Sequence, residues 1–265
     1  MTPNPLAAQR DGLHLSFSRW VCRICPGRML SGGIILRMKA QADNATPLYG
    51  RYLIRLVRPF PDFDFPFIRQ VRRRAVELLR LEQGDRVLDA GCGPGGSFPY
   101  LVRAVGPSGQ VTGVELSPEI IQNARRRIEK NGWRNVNAVE GSAQDVRLSG
   151  VFDGLLMCAA PDVYASKEAL DNMWPHLRDG ARVVVFGAKI SNKGIGRVLN
   201  PMLRLLLSRL SFPTTPKPDE EPWRLLSPRV DRIEIEEYLF GCMFLASGSA
   251  IGSRAKIREE LVPAG

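Results

Sequence analysis

The 265-residue sequence lacks several features that would assign it to a well-defined class. No apolar run reaches the roughly 18 residues that a membrane-spanning helix needs. The five cysteines are odd in number and scattered, which argues against a disulfide framework and favours a reducing compartment. There are only two histidines, and no histidine–carboxylate cluster has the spacing of a metal site. What is present is an ordinary globular composition, 44% hydrophobic and 24% charged, which is enough for a sizeable core.

The net charge of +10 is unevenly distributed along the chain. Residues 1–37 carry five arginines and one acidic residue, and residues 39–80 carry nine basic and four acidic residues. Residues 81–265 are nearly neutral, with 23 basic and 22 acidic residues. A strongly basic surface is typical of nucleic-acid-binding proteins, but the neutral body of this chain argues against a nucleic acid as its partner.

The domain organisation follows from where regular periodicity begins and ends. Residues 1–37 show no sustained period, and Met38 with the polar segment after it resembles a natural start. We therefore expect residues 1–37 to be an unstructured leader or an over-extended gene model. The folded domain is expected over 38–250, with an insert at 191–228 that covers the acceptor site as a lid, and a tail at 251–265.

Helix-like and strand-like segments alternate from residue 66 onwards. The strand-like segments are short and apolar or β-branched, and they lie at 86–90, 111–116, 136–141, 152–159 and 182–188. Helical spacing precedes the first strand and recurs between the others, including a short stretch at 142–147. This alternation predicts an α/β fold with a Rossmann-like, doubly wound and mostly parallel sheet. Residues 229–250 predict an antiparallel hairpin that turns near Phe240–Gly241.

The most informative segment is VLDAGCGPGGS at 87–97, in which a strand leads through a glycine-rich turn into a helix. A strand, a glycine-rich turn and a helix are the generic start of a nucleotide-binding fold. The glycines suit a dinucleotide, with its pyrophosphate, as well as a ligand that carries an ammonium group. Asp89 separates the two hypotheses, because a carboxylate would repel a pyrophosphate but attract an ammonium group. Glu115 ends the second strand, where it can accept from both ribose hydroxyls. S-adenosylmethionine has both an ammonium group for Asp89 and a ribose for Glu115. In the alternative interpretation, Asp89 caps the turn and Glu115 is a solvated strand end.

Five segments in succession resemble the motifs of class I S-adenosylmethionine-dependent methyltransferases: VLDAGCGPGG, VTGVELSPEII, VEGSAQDV, FDGLLMCAAPDVY and WPHLRDGARVVVFG. The resemblance covers residues 66–190. It implies an enzyme that uses S-adenosylmethionine and has a seven-stranded sheet, with residues 229–250 supplying the antiparallel last pair. The cofactor-binding positions that it implies are Asp89, Gly91, Gly93, Gly95, Glu115, Leu116, Ser142, Ala143 and Cys158.

Two of these positions carry open alternatives. Ser142 stands where the family commonly has an aspartate that accepts from the adenine amino group. Its hydroxyl can still accept, and the Ala143 N–H can reach the ring. Asp145 is a possible substitute, although a helix-start carboxylate needs no such role. Cys158 either faces the sulfur of the cofactor or is a small buried residue.

No catalytic residue can be assigned from the sequence. Methyl transfer to a neutral lone pair needs mainly alignment, whereas a hydroxyl or carbon acceptor needs a base or a metal. His176 lies at the end of a predicted helix, a position that has only a structural role in the family. Asp162 and Tyr164 follow the fourth strand and could orient a substrate as loop residues.

Two segments bear on the acceptor. In 195–210, one predicted helical face carries Arg197, Asn200, Arg204 and Ser208, and apolar residues lie mostly on the others. Residues 48–67 interleave arginines with aromatics. Either could be a packing helix with solvated arginines, but together they predict a hydrophobic entry with a cationic rim.

The expected activity is methylation of a hydrophobic or lipid-like small molecule by a cytoplasmic enzyme that contacts a membrane peripherally. The segments LNPMLRLLL (199–207) and EEYLFGCMFLASG (236–248) add a looser similarity to bacterial phosphatidylethanolamine and isoprenoid-quinone methyltransferases. The alternatives are an RNA methyltransferase that uses the basic N-terminal region and a non-catalytic module that binds the cofactor.

Overall fold

The computed structural model describes residues 66–192, 194–201 and 219–251. The expectations for the leader, for most of residues 48–67, for most of the insert and for the tail therefore lie outside the described residues. The same holds for Arg204 and Ser208 in the predicted basic helix.

The described chain alternates helices with strands, as the sequence predicts. The helices are α1 (Pro66–Leu78), α2 (Phe98–Val105), α3 (Pro118–Asn131), α4 (Pro161–Tyr164) and α5 (Lys167–Met173). The strands are β1 (Arg86–Ala90), β2 (Gln110–Glu115), β3 (Val136–Glu140), β4 (Phe152–Cys158), β5 (Leu177–Ala188), β6 (Glu234–Tyr238) and β7 (Met243–Ser249). Single 3-10 turns lie at Trp174–His176 and Ser227–Arg229, and residues 194–201 are helical.

The seven strands form one sheet in the order β3-β2-β1-β4-β5-β7-β6. Strands β1 to β5 pair in parallel, and β7 pairs antiparallel with both β5 and β6. The fold class and the antiparallel last pair are therefore confirmed. The strand order reverses between β1 and β4, and in open α/β sheets ligands bind outside the carboxyl ends of the strands at such a point.

Each face of the sheet has its own core, because successive strand residues point to opposite sides. Val87 and Leu156 pack with Phe98 and with α1 and α3 on one face. Their sequence neighbours Leu88 and Leu155 pack with α5 on the other. Strands buried on both sides fix the register of β1 and β4, and so the position of the loops that follow them.

The helix α3 starts as its sequence predicts. The Ser117 hydroxyl accepts from the Ile120 N–H at 3.4 Å, and Pro118 occupies the first helical position. At its other end, Gly132 closes the helix in the left-handed conformation. The Ser117 cap fixes the direction in which the chain leaves β2, and therefore the placement of Glu115.

The predicted short helix at 142–147 is wrong, because the segment forms only a turn. The amide of Asn172 donates to the carbonyls of Ala143 and Val146, at 3.1 and 3.0 Å. A side chain from α5 thus satisfies carbonyls that a helix would have needed. Strand β5 also begins earlier than expected, at Leu177 instead of residue 182.

Candidate cofactor-binding site

The glycine-rich turn after β1 holds Gly91, Gly93 and Gly95 in the left-handed region, with φ of 73°, 56° and 78°. Side chains are strained there, so glycine is required for backbone reasons alone. Gly91 is also needed for space, since a Cβ atom there would lie 2.4 Å from the Cβ of Ala160. No atom of the described residues lies within 4 Å of a Cβ built at Gly93. The turn thus packs against the end of β4 on one side and faces open space on another.

Asp89 lies in β1 directly beneath this turn, with none of its surface exposed. Neither of its carboxylate oxygens has a hydrogen-bond partner among the described residues. Burial raises the pKa of Asp89 to about 7, with Arg72 acting to lower it and Glu115 to raise it. A buried carboxylate without donors is costly unless a ligand supplies them. An ammonium group would do so, and in this respect the residues present fit the amino acid end of S-adenosylmethionine.

Arg72 completes this part of the site, and no pattern in the sequence distinguishes it from its neighbours. Its side chain is 9% exposed and reaches from α1 to the glycine turn, where a Cβ on Gly96 would lie 2.7 Å from Nη1. The positive charge of Arg72 acts to lower the pKa of the Cys158 thiol at the end of β4. In the sequence, Arg72 begins a run of three arginines, and such a run usually indicates a solvated helix face.

Glu115 ends β2 beside the turn and holds it in place. Its Oε2 accepts from the Gly93 N–H at 3.1 Å, and its Oε1 accepts from the Ser117 N–H at 2.9 Å. Burial raises the pKa of Glu115, and these backbone hydrogen bonds oppose that effect. Each oxygen keeps a further lone pair, so the oriented carboxylate can also accept from two hydroxyls of a ribose.

The predicted adenine side is formed by the residues that follow β2 and β3. Leu116 is exposed beside Glu115, and Ala143 is buried in the turn that Asn172 holds. The Ser142 hydroxyl is engaged with Gln144, donating to its Oε1 and accepting from its N–H at 3.3 Å. This leaves one acceptor lone pair on the hydroxyl at most. Asp145 is exposed in the turn, which agrees with its interpretation as a plain surface carboxylate.

Cys158 is half-buried at the end of β4, between Arg72 and the glycine turn. Burial raises the pKa of its thiol above the usual range, so the neutral thiol predominates. The next residue, Ala159, takes a left-handed φ of 57° that turns the chain sharply after the strand. A non-glycine residue in this conformation is a strained position, and such positions often cluster at binding sites.

The other candidates after β4 differ from one another in their surroundings. Tyr164 and Asp162 lie in the short helix α4, so their description as loop residues is wrong. The Tyr164 ring is buried, with an edge-on contact to Phe244, and it fills the space above Gly187. Tyr164 is therefore part of the core. Asp162 is half-buried, and burial raises its pKa.

Two other predicted positions turn out to be structural. His176 lies at the amino end of β5, the opposite edge of the sheet, with Nδ1 3.1 Å from the Gly150 carbonyl. Asn200 does not point outward with Arg197, because its amide pairs with the backbone of Ser191 at 2.7 and 3.0 Å. Within the described ranges, no group of three or more histidine, cysteine or carboxylate side chains could hold a metal ion.

Comparison with known proteins finds a similar domain in this part of the chain. Residues 87–180 match the family model described as a methyltransferase domain. A protein-L-isoaspartate O-methyltransferase of Methanothrix thermoacetophila is 35% identical over 111 residues, 41% of this chain and 50% of that protein. The chain spans less than two thirds of the length of the curated relatives that it matches.

Two solved structures share the fold. A SAM-dependent methyltransferase from Aquifex aeolicus superposes with a TM-score of 0.52 at 19% identity, over 71% of this chain and all of that chain. Geranyl diphosphate C-methyltransferase from Streptomyces coelicolor, crystallised with S-adenosyl-L-homocysteine, superposes with a TM-score of 0.56 at 15% identity, over 69% of this chain and 76% of that one.

Proposed function

We propose that the protein is a class I S-adenosylmethionine-dependent methyltransferase that methylates a hydrophobic, lipid-like small molecule, and the match of residues 87–180 to a methyltransferase domain supports the reaction class. The use of S-adenosylmethionine is supported above all by the carboxylate of Asp89. It is fully buried beneath a left-handed glycine turn and has no hydrogen-bond donor among the described residues. Glu115 stands one strand away with both oxygens oriented by backbone N–H groups.

When bound, S-adenosylmethionine supplies an electrophilic methyl group on a sulfonium centre. The chain's own residues bind and orient it: Asp89 faces the ammonium group, and Glu115 receives the ribose. Cys158 and Ala159 lie at the end of β4, at the same edge of the sheet. Such alignment suffices for an acceptor with a free lone pair, and the proton of an N–H acceptor can leave to water.

For an acceptor that must lose a proton as it reacts, Asp162 is the side chain we expect to take part. It is half-buried after β4, and it lies close enough to Glu115 to raise the pKa of that carboxyl. Burial raises the pKa of Asp162 as well, which brings it closer to the range of a useful general base.

The lipid-like nature of the acceptor is supported by apolar surface at this edge of the sheet. The turn between β6 and β7 exposes Leu239 and Phe240, and the neighbouring helix at 194–201 exposes Ile195 and Val198. Since Ala188 at the end of β5 pairs with Met243, this turn lies at the carboxyl edge, where the glycine turn also lies. No helix in the described part of the chain is long and apolar enough to cross a membrane.

The test is a methylation assay with labelled S-adenosylmethionine and four acceptor classes: a short-chain phosphatidylethanolamine, a short-chain hydroquinone, total RNA and a mixture of water-soluble amines and phenols. Label in either lipid-like acceptor, absent with Asp89→Ala, is the expected result. Label only in RNA would support the alternative RNA methyltransferase. If S-adenosylhomocysteine binds but no acceptor is labelled, the non-catalytic module is favoured.

A further inference from the structure

Arg72 is buried to an extent that is unusual for an arginine. It lies in the middle of α1, beside the core residues Val71 and Ala75, and only 9% of its surface is exposed. Long cationic side chains are rarely buried this deeply unless their charge has a counterpart. The guanidinium reaches the glycine-rich turn after β1, so the fold places a positive charge beside the expected cofactor site.

The glycine-rich turn makes room for this guanidinium at Gly96. Unlike Gly91, Gly93 and Gly95, Gly96 does not lie in the left-handed region, so its backbone conformation alone does not require glycine. A Cβ atom at this position would lie 2.7 Å from Nη1, 2.8 Å from Cζ and 3.0 Å from Nη2 of Arg72. The glycine at position 96 is therefore explained by the arginine that lies against it.

Arg72 and Asp89 place opposite charges on the same face of the sheet. Asp89 follows Val87 by two residues in β1, so its side chain points to the face on which α1 packs. The charge of Arg72 acts on Asp89 and also on Cys158, so the guanidinium lies near the ends of both β1 and β4. The two charges do not form a closed ion pair, because neither oxygen of Asp89 has a hydrogen-bond partner among the described residues. Two buried opposite charges in this arrangement suit a ligand that itself carries both charges.

The amino acid end of S-adenosylmethionine carries both charges, an ammonium group and a carboxylate. A guanidinium matches a carboxylate especially well, because its planar fork of N–H donors can address both oxygens at once. The strand order reverses between β1 and β4, and Arg72 lies near the ends of these two strands. Open α/β sheets bind their ligands in the crevice at such a point, so the guanidinium lies where a ligand is expected.

We propose that Arg72 binds the carboxylate of the cofactor while Asp89 binds its ammonium group, so that the two residues together select ligands with a zwitterionic amino acid end. The proposal rests on the proposed function, since it takes S-adenosylmethionine as the cofactor. It adds α1 to the cofactor site, although this helix precedes the residues 87–180 that match the methyltransferase domain. Adenosine derivatives that lack the carboxylate are then poor ligands.

The test is titration calorimetry of the full chain with S-adenosylhomocysteine and with its decarboxylated analogue, which keeps the amino group. The wild type should prefer S-adenosylhomocysteine, and Arg72→Gln should reduce this preference at least about tenfold. Arg72 also acts on Asp89, but both ligands share that effect, so it cancels in the ratio of the two affinities. Arg72→Lys keeps the charge without the planar fork and should lose an intermediate factor. Arg73→Gln is the matched control, because Arg73 is exposed on the same helix, and it should leave the preference unchanged.

Gly96→Ala is a second variant, which keeps Arg72 in the chain. The added Cβ would take the place of the guanidinium, which is the far end of a flexible side chain and can move away at little cost to the fold. We therefore expect the same loss of preference as in Arg72→Gln, with little change in the melting temperature. This variant keeps the test decisive if Arg72→Gln does not fold.

A preference that stays the same in Arg72→Gln and Gly96→Ala would overturn the proposal. If both affinities are also unchanged, the carboxylate binds elsewhere. If both fall by the same factor, Arg72 acts only through Asp89 or through the packing of α1. Either result leaves the proposed function standing, provided that the wild type methylates a lipid-like acceptor. A wild type that does not bind S-adenosylhomocysteine contradicts both proposals.

Discussion

The N–H of Gly93 donates to Oε2 of Glu115 across 3.1 Å, so the glycine turn after β1 is tied to the tip of β2. The two residues are 22 positions apart in the chain. This hydrogen bond sets the separation between the region expected to hold the amino acid end of the cofactor and the region expected to hold its ribose. Disturbing either residue should therefore change both regions.

Removing the carboxylate of Asp89 should weaken ligand binding and not the fold. Asp89→Asn should bind S-adenosylhomocysteine more weakly by about 1.5–3 kcal/mol, the range for a hydrogen bond to a charged group. The same change removes a buried charge, so the free protein should be at least as stable as wild type at pH 8. Calorimetry and thermal unfolding check the two effects. Binding of NADH by the wild type, without binding of S-adenosylhomocysteine, would contradict the assignment.

The pKa of Asp89 gives binding a pH dependence. In the free protein the pKa of Asp89 is about 7, against an ordinary aspartate value of 3.8, so between these values the folded state holds a proton that the unfolded state has lost. The contribution of Asp89 to stability therefore falls as pH rises through this window. Ligand binding needs the ionised carboxylate, and below pH 7 the affinity should drop about tenfold per pH unit. Titration calorimetry from pH 5.5 to 7.5 measures this, and Asp89→Asn should abolish the slope.

Arg72 should set the position of that slope. Its positive charge acts to lower the pKa of Asp89, so Arg72→Gln should raise this pKa and move the midpoint of binding to higher pH. Arg73→Gln is the matched control, because Arg73 is exposed on the same helix. A midpoint that is the same in both variants would show that Arg72 acts only by packing.

Glu115 should be more sensitive to truncation than to a change of charge. Glu115→Gln keeps an acceptor oxygen for one of the two backbone N–H groups, whereas Glu115→Ala leaves both Gly93 and Ser117 without their partner. We expect Ala to cost about 1.5–3 kcal/mol of binding free energy and to lower the melting temperature, and Gln to cost less in both. Equal losses in both variants would mean that charge alone matters.

The glycines of the turn should differ in how they respond to alanine. Gly91→Ala combines left-handed strain with a contact of 2.4 Å to Ala160, so it should lower the free energy of unfolding by about 2–4 kcal/mol. Gly93→Ala meets no described atom within 4 Å, so only the strain of about 1–2 kcal/mol remains. Denaturant unfolding compares the two variants. A larger loss for Gly93→Ala would contradict this account of the turn.

The sequence by itself determined the order of the elements and the local chemistry of the turns. Alternating periods predicted five parallel strands and the last hairpin, because buried strands and amphipathic helices have different spacings. Ser117 and Pro118 predicted the start of α3, because a helix cap depends on only three or four consecutive residues. The glycine turn after β1 was predictable for the same reason, because a left-handed backbone conformation is a local requirement. The predicted roles of Asp89 and Glu115 were inferred from their places at the ends of predicted strands.

What only the tertiary structure decided are contacts between segments that are distant in the chain. The position of Arg72 beneath the glycine turn depends on how α1 packs against the sheet, and its sequence neighbours give no hint of it. The segment at 142–147 has helical spacing, yet Asn172 from α5 occupies its carbonyls and leaves a turn. Residues 191–198 meet residues 239–242 through a contact that no periodicity predicts. Local propensity specifies an element, whereas the partners of its side chains are specified by the packing of the whole sheet.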